Sequence, residues 1–474
     1  MGGTARCRGR AVKFSAYSKY KPSGVQWLGD VPEEWEVKRL KYSASINDEA
    51  LPETTSPDAE FEYVDIGGVS SVDGITQTEQ VVFETAPSRA RRKVRHGDTI
   101  VSTVRTYLRA IAPIRNPPEN LIVSTGFAVV RPRKIEPSFL AYAIRESSFI
   151  ESVVACSVGV SYPACNASEI GGIVIPLPPV AEQRAIVEFL DRETGRIDKL
   201  VAKKRKLIER LKEKRAALIS RTVTRGLPPE AAAKAGLPVN PPLKPSGVDW
   251  LGDIPKHWEV KKFGYIAIVV RGASPRPAGD PRYFDGDFIS WITVGEVTKD
   301  ENVFLTETTT MLTEEGAANS RTIRSGTLVL TNSGATLGVP KILAVTGCAN
   351  DGIVAFEGLS KDADKFFLYY YLRSLTENLR DRIKQGSGQP NLNTDIVKSL
   401  NVPLPPLPEQ AAIAAYLNEA TAKLDALVGK VEGAIERLQE YRAALITAAV
   451  TGKIDVRSLS DLISQKKGLY SREN

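Results

Sequence analysis

The chain has 474 residues, 42% hydrophobic and 25% charged, the proportions of an ordinary soluble protein with room for two or three cores. A formal net charge of +7 permits a polyanionic partner without demanding one. No apolar run is long enough for a membrane span, and Cys7, Cys156, Cys165 and Cys348 form no CxxC pair, so reduced thiols in a cytoplasmic protein without a membrane partner are expected.

Residues 1–20 carry Arg6, Arg8, Arg10, Lys13 and Lys19 with no acid, and lack the apolar core of a signal peptide. They are expected to form a basic flexible tail, with loose phosphate contact as its alternative role. The block KPSGVQWLGDVPEEWEVKRLKY at 21–42 follows and returns at 244–265 with 15 of 22 positions identical. It holds Trp27, Trp35, Trp250 and Trp258, and Pro22, Gly24, Gly29 and Pro32 shape its first copy into a turn-rich loop. The indoles are expected to anchor that loop by packing, and a ligand-stacking role is the alternative. The first copy should dock near the end of the second long helix, bringing the chain's start and finish together.

Two bodies of similar length come next, 43–174 and 266–401, whose centres barely match. Their closing parts do match: FLAYAIR (139–145) parallels FLYYYLR (367–373), and GVSYPACNASEI (159–170) parallels GSGQPNLNTDIV (386–397). DTIVSTVRTYLRAIAPI (98–114) lies over GTLVLTNSGATLGVPKI (326–342), and both read as strand, polar turn, strand. Each body is therefore expected to be mixed α+β, on a shared scaffold with different central parts.

Positive charge gathers on these bodies. In the first, Arg89, Arg91, Arg92, Lys93 and Arg95 precede a strand, Arg105, Tyr107 and Arg109 occupy the hairpin turn, and Arg131, Arg133 and Lys134 follow. In the second, Arg271, Arg276 and Arg282 lie in a Pro/Gly-rich loop, and Arg321 and Arg324 precede the matching hairpin. Arginine suits bidentate contact to guanine edges and phosphate, and lysine neutralises the backbone. Any one of them has solvated surface charge as its alternative; as a set on duplicated bodies they favour DNA over a small ligand.

Each body runs into a repeated helical segment. Residues 176–225 and 403–452 lie 227 apart and agree at 26 of 50 positions without a gap, so the chain is a duplication. In the second copy Leu417, Leu424, Val431, Leu438 and Leu445 recur every seven residues, with Ile413, Ala420, Leu427, Ala434 and Tyr441 four residues earlier as the expected companion row. The first copy keeps the register with Leu190, Ile197, Lys204, Leu211 and Leu218, adding Ile186, Leu200 and Leu207. Pro-Leu-Pro-Pro marks both helix starts. A helix over 182–221 spans about 60 Å at 1.5 Å per residue. Connectivity then predicts two antiparallel helices, one globular domain at each end and an approximate two-fold axis. The alternative packs each helix on its own domain.

A search for chemistry returns little. The two histidines, His96 and His257, have no partner at ligand spacing, and no phosphate loop or dinucleotide fingerprint occurs. NPPE (116–119) and NPPL (240–243) resemble an amino-methyltransferase motif but lack its aromatic residue, and read as turns. No catalytic residue, no metal site and no cofactor is expected.

The paired KPSGVxWLGDxPxxWEVK blocks, the two PLPPxxEQ helix entries and the two RAALI helix ends resemble the specificity (S) subunit of type I restriction-modification enzymes, over residues 21 to 453. The resemblance implies target-recognition domains at 21–180 and 244–407 and spacer helices at 181–225 and 408–453; composition adds a basic flexible tail at 1–20, a linker at 226–243 and a C-terminal tail at 454–474. It implies an α+β fold, pseudo-two-fold symmetric, with the duplicated domains separated by an antiparallel coiled coil. It further implies binding to double-stranded DNA as a bipartite target, and partnership with methyltransferase (M) and restriction (R) subunits that carry all catalysis. The departures are a longer basic N-terminal tail and SYPAC where the second domain has GQPNL, which bear on the first domain's loop geometry. Two alternatives stay open: a non-enzymatic coiled-coil scaffold for proteins, and a nuclease or methyltransferase with a diverged site.

Overall fold

The computed structural model describes residues 14–70, 74–159, 163–334, 336–383 and 392–457. The expected basic tail up to Lys13, the loop parts at 160–162 and 384–391 and the terminal stretch from 458 lie outside the described residues. The chain divides into two compact units, Met1–Lys204 with Gly433–Asn474, and Arg205–Glu432. Each long helix thus contributes one half to each unit. Among the described residues no helix is long and apolar enough to cross a membrane.

In the first unit, one sheet has the strand order Ile111–Pro113, Thr99–Ser102, Phe127–Pro132, Ala44–Ile46. A second has the order Glu79–Val82, Glu60–Val64, Leu121–Ser124, Ala90–Lys93, with its middle pair parallel. The second unit repeats both. Pro340–Leu343, Leu328–Thr331, Ile353–Glu357 and Ile268–Arg271 form one sheet, extended by Phe304–Leu305. Met311–Leu312, Ile289–Ile292, Gly347–Ala349 and Arg321–Ile323 form the other, again with a parallel middle pair. The strand order therefore recurs through the centres that share little sequence. The central strands are buried along their length, and such strands need apolar or β-branched residues, not particular identities.

The long helices, Val180–Arg225 and Leu407–Val450, start beside short strands that explain the proline-rich entries. Val174–Leu177 pairs antiparallel with Glu36–Arg39, and Asn401–Leu404 pairs with Glu259–Lys262. Pro176 and Pro403 thus lie within strands rather than simply preceding helices. The shared Glu-Gln that follows ties each entry down. Gln183 donates to the Pro178 carbonyl and accepts from the Glu136 amide, both at 2.8 Å. Gln410 does the same with Pro405 and Asp364, again at 2.8 Å.

The helix halves pair antiparallel in each unit. In the first, Arg442 meets Asp198 at 2.9 Å, while Glu182, nearer the helix start, faces Arg457 at 4.0 Å beyond the other helix's end. In the second, Arg215 meets Asp425 at 3.0 Å, and Ile219 and Val223 share an apolar cluster with Ile413 and Leu417. Arg442 and Asp425 stand 227 residues after Arg215 and Asp198, so the two units make the same ion pair with the copies exchanged. Within each copy, by contrast, the body holds its own helix: Tyr142 donates to Asp191 at 2.7 Å and Tyr370 to Asn418 at 2.9 Å.

Burial corrects the companion row. Leu190, Ile197, Leu211, Leu417, Val431 and Leu445 are buried, and Leu218, Leu424 and Leu438 half-buried. Among the expected companions Ile186 and Ile413 are fully buried and Ala420 and Ala434 half-buried, but Leu200, Leu207, Leu427 and Tyr441 are 48%, 42%, 43% and 50% exposed. A further row lies four residues after the seam, buried at Thr194, Val201, Thr222, Thr421 and Ala449 and half-buried at Ile208, Arg215, Val428, Ile435 and Arg442. Its threonines are satisfied locally: Thr194, Thr222 and Thr421 donate to the carbonyls of Leu190, Leu218 and Leu417 at 2.6, 2.7 and 2.7 Å. A buried row with satisfied polar groups escapes a purely apolar pattern.

The tryptophan blocks are also corrected in part. Trp35 and Trp258 are fully buried, but Trp27 is 37% exposed and Trp250 half-buried, so one indole of each pair is the anchor. In the first unit Trp35 packs in one cluster with Ile446, Ala449 and Val450. Lys453 donates to the carbonyls of Leu28 and Asp30 at 3.2 and 2.7 Å, joining the chain's first block to the end of its last helix.

Candidate nucleic-acid interface

In the first unit the predicted hairpin turn joins Thr99–Ser102 to Ile111–Pro113. Its path is set by buried threonines. Thr103 donates backbone and side chain to the Gly126 carbonyl at 2.8 and 2.9 Å, and the Thr106 and Ser157 hydroxyls lie 2.7 Å apart. The Arg105 amide donates to the Pro163 carbonyl at 2.8 Å, and the Arg109 amide to Thr106 at 2.9 Å. The tip that results, Thr106–Leu108, is a single tight turn with Arg105 and Arg109 left-handed on either side, at φ 50 and 51°. Each L-residue so placed costs about 1–2 kcal/mol. Tyr107 and Leu108 stand 55% and 45% exposed at the apex.

The second unit has the same loop. Ser102 donates to Ala110 at 2.9 Å, as Thr331 does to Val339 at 3.0 Å, so Arg105 and Arg109 match Gly334 and Gly338 at an offset of 229 residues. Those glycines are left-handed too, at φ 77 and 85°. Glycine takes that conformation at little cost. The two left-handed positions are thus common to both bodies, and only the first places arginines there. Arg109→Gly is expected to leave stability unchanged or raised by up to about 1 kcal/mol, because relieved strain offsets the freer unfolded chain. The same variant should weaken DNA binding by about 1–3 kcal/mol, read by titration beside thermal unfolding.

The turn between two strands carries this tip toward the Arg89 end of the basic strand. The Thr125 amide donates to Arg89 at 2.7 Å and its neighbour Gly126 holds Thr103. Arg89, 57% exposed, pairs with Asp65 at 3.2 Å. Arg91 is half-buried with its guanidinium 4.5 Å from the Phe83 ring centre. Arg92 is half-buried, and burial lowers its pKa; its buried Nε makes no hydrogen bond among the described residues. Lys93, opposite Ile122, is exposed at the far end of the strand, away from the tip.

The second body assembles an equivalent edge. Asn332 donates to the Gly352 carbonyl at 2.9 Å, in the place of Thr103 and Gly126. Beside it Asp351 collects two arginines: Arg271 donates to its carbonyl at 2.6 Å, and Arg276 to its carboxylate at 3.2 Å. Arg321, opposite Ala349, is exposed at this end, whereas Arg324 is exposed past the strand's other end. Neither makes an ion pair among the described residues. The structure therefore gathers Arg89, Arg105, Tyr107 and Arg109 in one body and Arg271, Arg276 and Arg321 in the other, and leaves Lys93 and Arg324 apart.

Some cations of the sequence clusters are structural. Arg131 is only 16% exposed and binds Asp98 at 2.8 Å and Glu49 at 2.9 Å; the hydrogen bonds to Asp98 raise its pKa. Arg282 grips Asp280, which raises the guanidinium's pKa and lowers the carboxyl's. His257 meets Glu409 at 2.8 Å at a helix entry. The acids Asp65 and Asp351 were not singled out from the sequence, because Arg89 and Arg271 lie 24 and 80 residues from them.

Each unit also has a cleft against its helix halves. The first, 600 Å³, includes Arg145, Arg442 and Asp198; the second, 890 Å³, includes Arg373, Arg215 and Asp425. Burial, then Arg215 and Arg380, brings the Arg373 pKa down to about 10. Asp198 and Asp425 offset this crowding of cations, which makes the clefts part of the helix attachment.

Two sheets and a basic edge, each present twice, with one helix pair shared between them, define a duplicated recognition protein. A family model described as the type I restriction modification DNA specificity domain matches residues 32–210 and again 255–437. The chain belongs to that family, whose members are the non-catalytic DNA-recognition subunits of these systems. It is 31% identical over 465 residues to the type I restriction enzyme MjaIX specificity subunit of Methanocaldococcus jannaschii, covering 94% of this chain and 99% of the relative. It is 23% identical over 448 residues to the putative MjaX specificity subunit of the same organism, covering 91% and 96%. Among solved structures, a chain from work on complex assembly and conformational transition of the type I R-M system matches with a TM-score of 0.66 and 25% identity, covering 89% of this chain and 98% of that one.

Proposed function

We propose that the chain is the cytoplasmic DNA-specificity subunit of a type I restriction-modification system, reading a bipartite target in double-stranded DNA. The target-recognition domains, 21–180 and 244–407, each take one half-site. The chain docks M and R subunits that carry out methyl transfer and cleavage, and itself performs no reaction. The observation that carries this reading is the edge built twice on one strand order: arginines are exposed at both, but on different loops, as two readers of different sequences require. The exposed row Leu200, Leu207, Leu427 and Tyr441 supplies apolar helix surface for M-subunit docking.

The test maps modified bases genome-wide in cells carrying the M subunit, with the chain, without it, and with residues 43–174 exchanged for those of another specificity subunit. A split sequence appearing only with the chain, one half of which changes in the exchange, is expected. Both halves changing together would defeat the one-domain, one-half-site reading. Modification independent of the chain would return the scaffold reading.

A further inference from the structure

The two hairpin loops share their left-handed positions but not an exposed leucine. In the second body Thr336 is exposed, whereas Leu337, the counterpart of Leu108, is fully buried. In the first body the apex turns outward, presenting a tyrosine ring and a leucine side chain side by side between two arginines. Apolar groups add nothing to phosphate contact, and an exposed adjacent pair is poorly placed for a soluble surface. Flanking cations mark the apex as facing a polyanion. The left-handed arginines are kept where the sister loop shows that glycine serves the backbone. Anchorage through Thr103, Thr106 and Pro163 holds the tip before any ligand arrives, so little ordering remains to be done on contact.

We propose that the 105–109 tip is a DNA wedge. Tyr107 and Leu108 enter the stack at one base step of the half-site read by the first body, while Arg105 and Arg109 hold the phosphates on either side. Apolar wedges partly unstack a step, and the bent duplex then wraps more protein surface. An aromatic face stacks on any base, so the wedge selects a deformable step rather than a base identity. The second body lacks the apex, so the deformation is confined to one half-site. This inference rests on the DNA reading above.

The test uses the full chain complexed with its M subunits, on duplexes carrying the mapped target with 2-aminopurine placed singly along each half-site. The base presented for methylation is extruded in both half-sites and reports a bound, folded complex. A separate fluorescence rise is expected at one step of the first body's half-site and at none in the other. Tyr107→Ala with Leu108→Ala should abolish that rise, keep the extruded-base signals and weaken binding about ten- to hundredfold. Tyr107→Phe should retain it. A rise unchanged in the double variant, or no separate rise in the wild type, overturns the wedge. Loss of M-subunit assembly with DNA signals intact makes the tip a protein contact and overturns it equally. Absence of every signal, with no sequence-dependent binding, instead removes the DNA reading beneath it.

Discussion

Insertion of one heptad into both long helices, beside Lys204 in the first and Glu432 in the second, is expected to widen the gap between half-sites while leaving both half-sites unchanged. Seven helical residues add about 10 Å, or about three base pairs of B-DNA. The helices are the elements whose halves belong to both units, and we propose that their length fixes the gap between the half-sites. A heptad keeps the buried rows in phase, so Leu190 and Ile197 still face the partner that Leu211 and Leu218 require. Four residues instead rotate the rows by about 40° and should cost stability as well. Mapping modified sites for the lengthened complex checks this, and an unaltered gap would show that something other than the helices fixes it.

Gly452→Ala is expected to destabilise the first unit by about 2–5 kcal/mol, the sum of a left-handed side chain and overpacking. Gly452 follows the last helix at φ 73°, and an added Cβ would lie 2.3 Å from Pro32 Cδ and 3.3 Å from the buried Trp35 ring. Neither ring can swing aside as the end of a flexible chain would. Gly226, which ends the first helix at φ 83°, is the control: its nearest contacts would be 3.6 and 3.7 Å. There only the backbone cost of about 1–2 kcal/mol applies. Urea unfolding of both variants separates the two contributions, and equal losses would mean that the joint between the chain's first block and last helix is slack.

Much of the architecture was legible because duplication writes itself in identities. The seven-residue spacing of Leu190, Ile197 and Leu211 is an apolar signal, and burial follows it. The second row was not legible, since Leu200, Leu207 and Leu427 look more core-like than Thr194, Thr421 or Arg442 until hydrogen bonds and ion pairs are seen. The central strands recur without shared residues because pairing uses backbone groups. On the interface, charge clusters located the right loops but could not separate Arg131, neutralised by acids 33 and 82 residues away, from Arg109. Nor does V-R-T-Y-L-R announce a left-handed pair, because the clue lies in the glycines of the sister loop.

The first unit takes its core from both ends of the polypeptide, whereas the second is one continuous stretch. A ribosome therefore releases everything the second unit needs before it makes the last turns of helix that seal Trp35. The domain translated first is finished last. Until Gly452 emerges, its tryptophan site stays open to whatever accompanies the nascent chain.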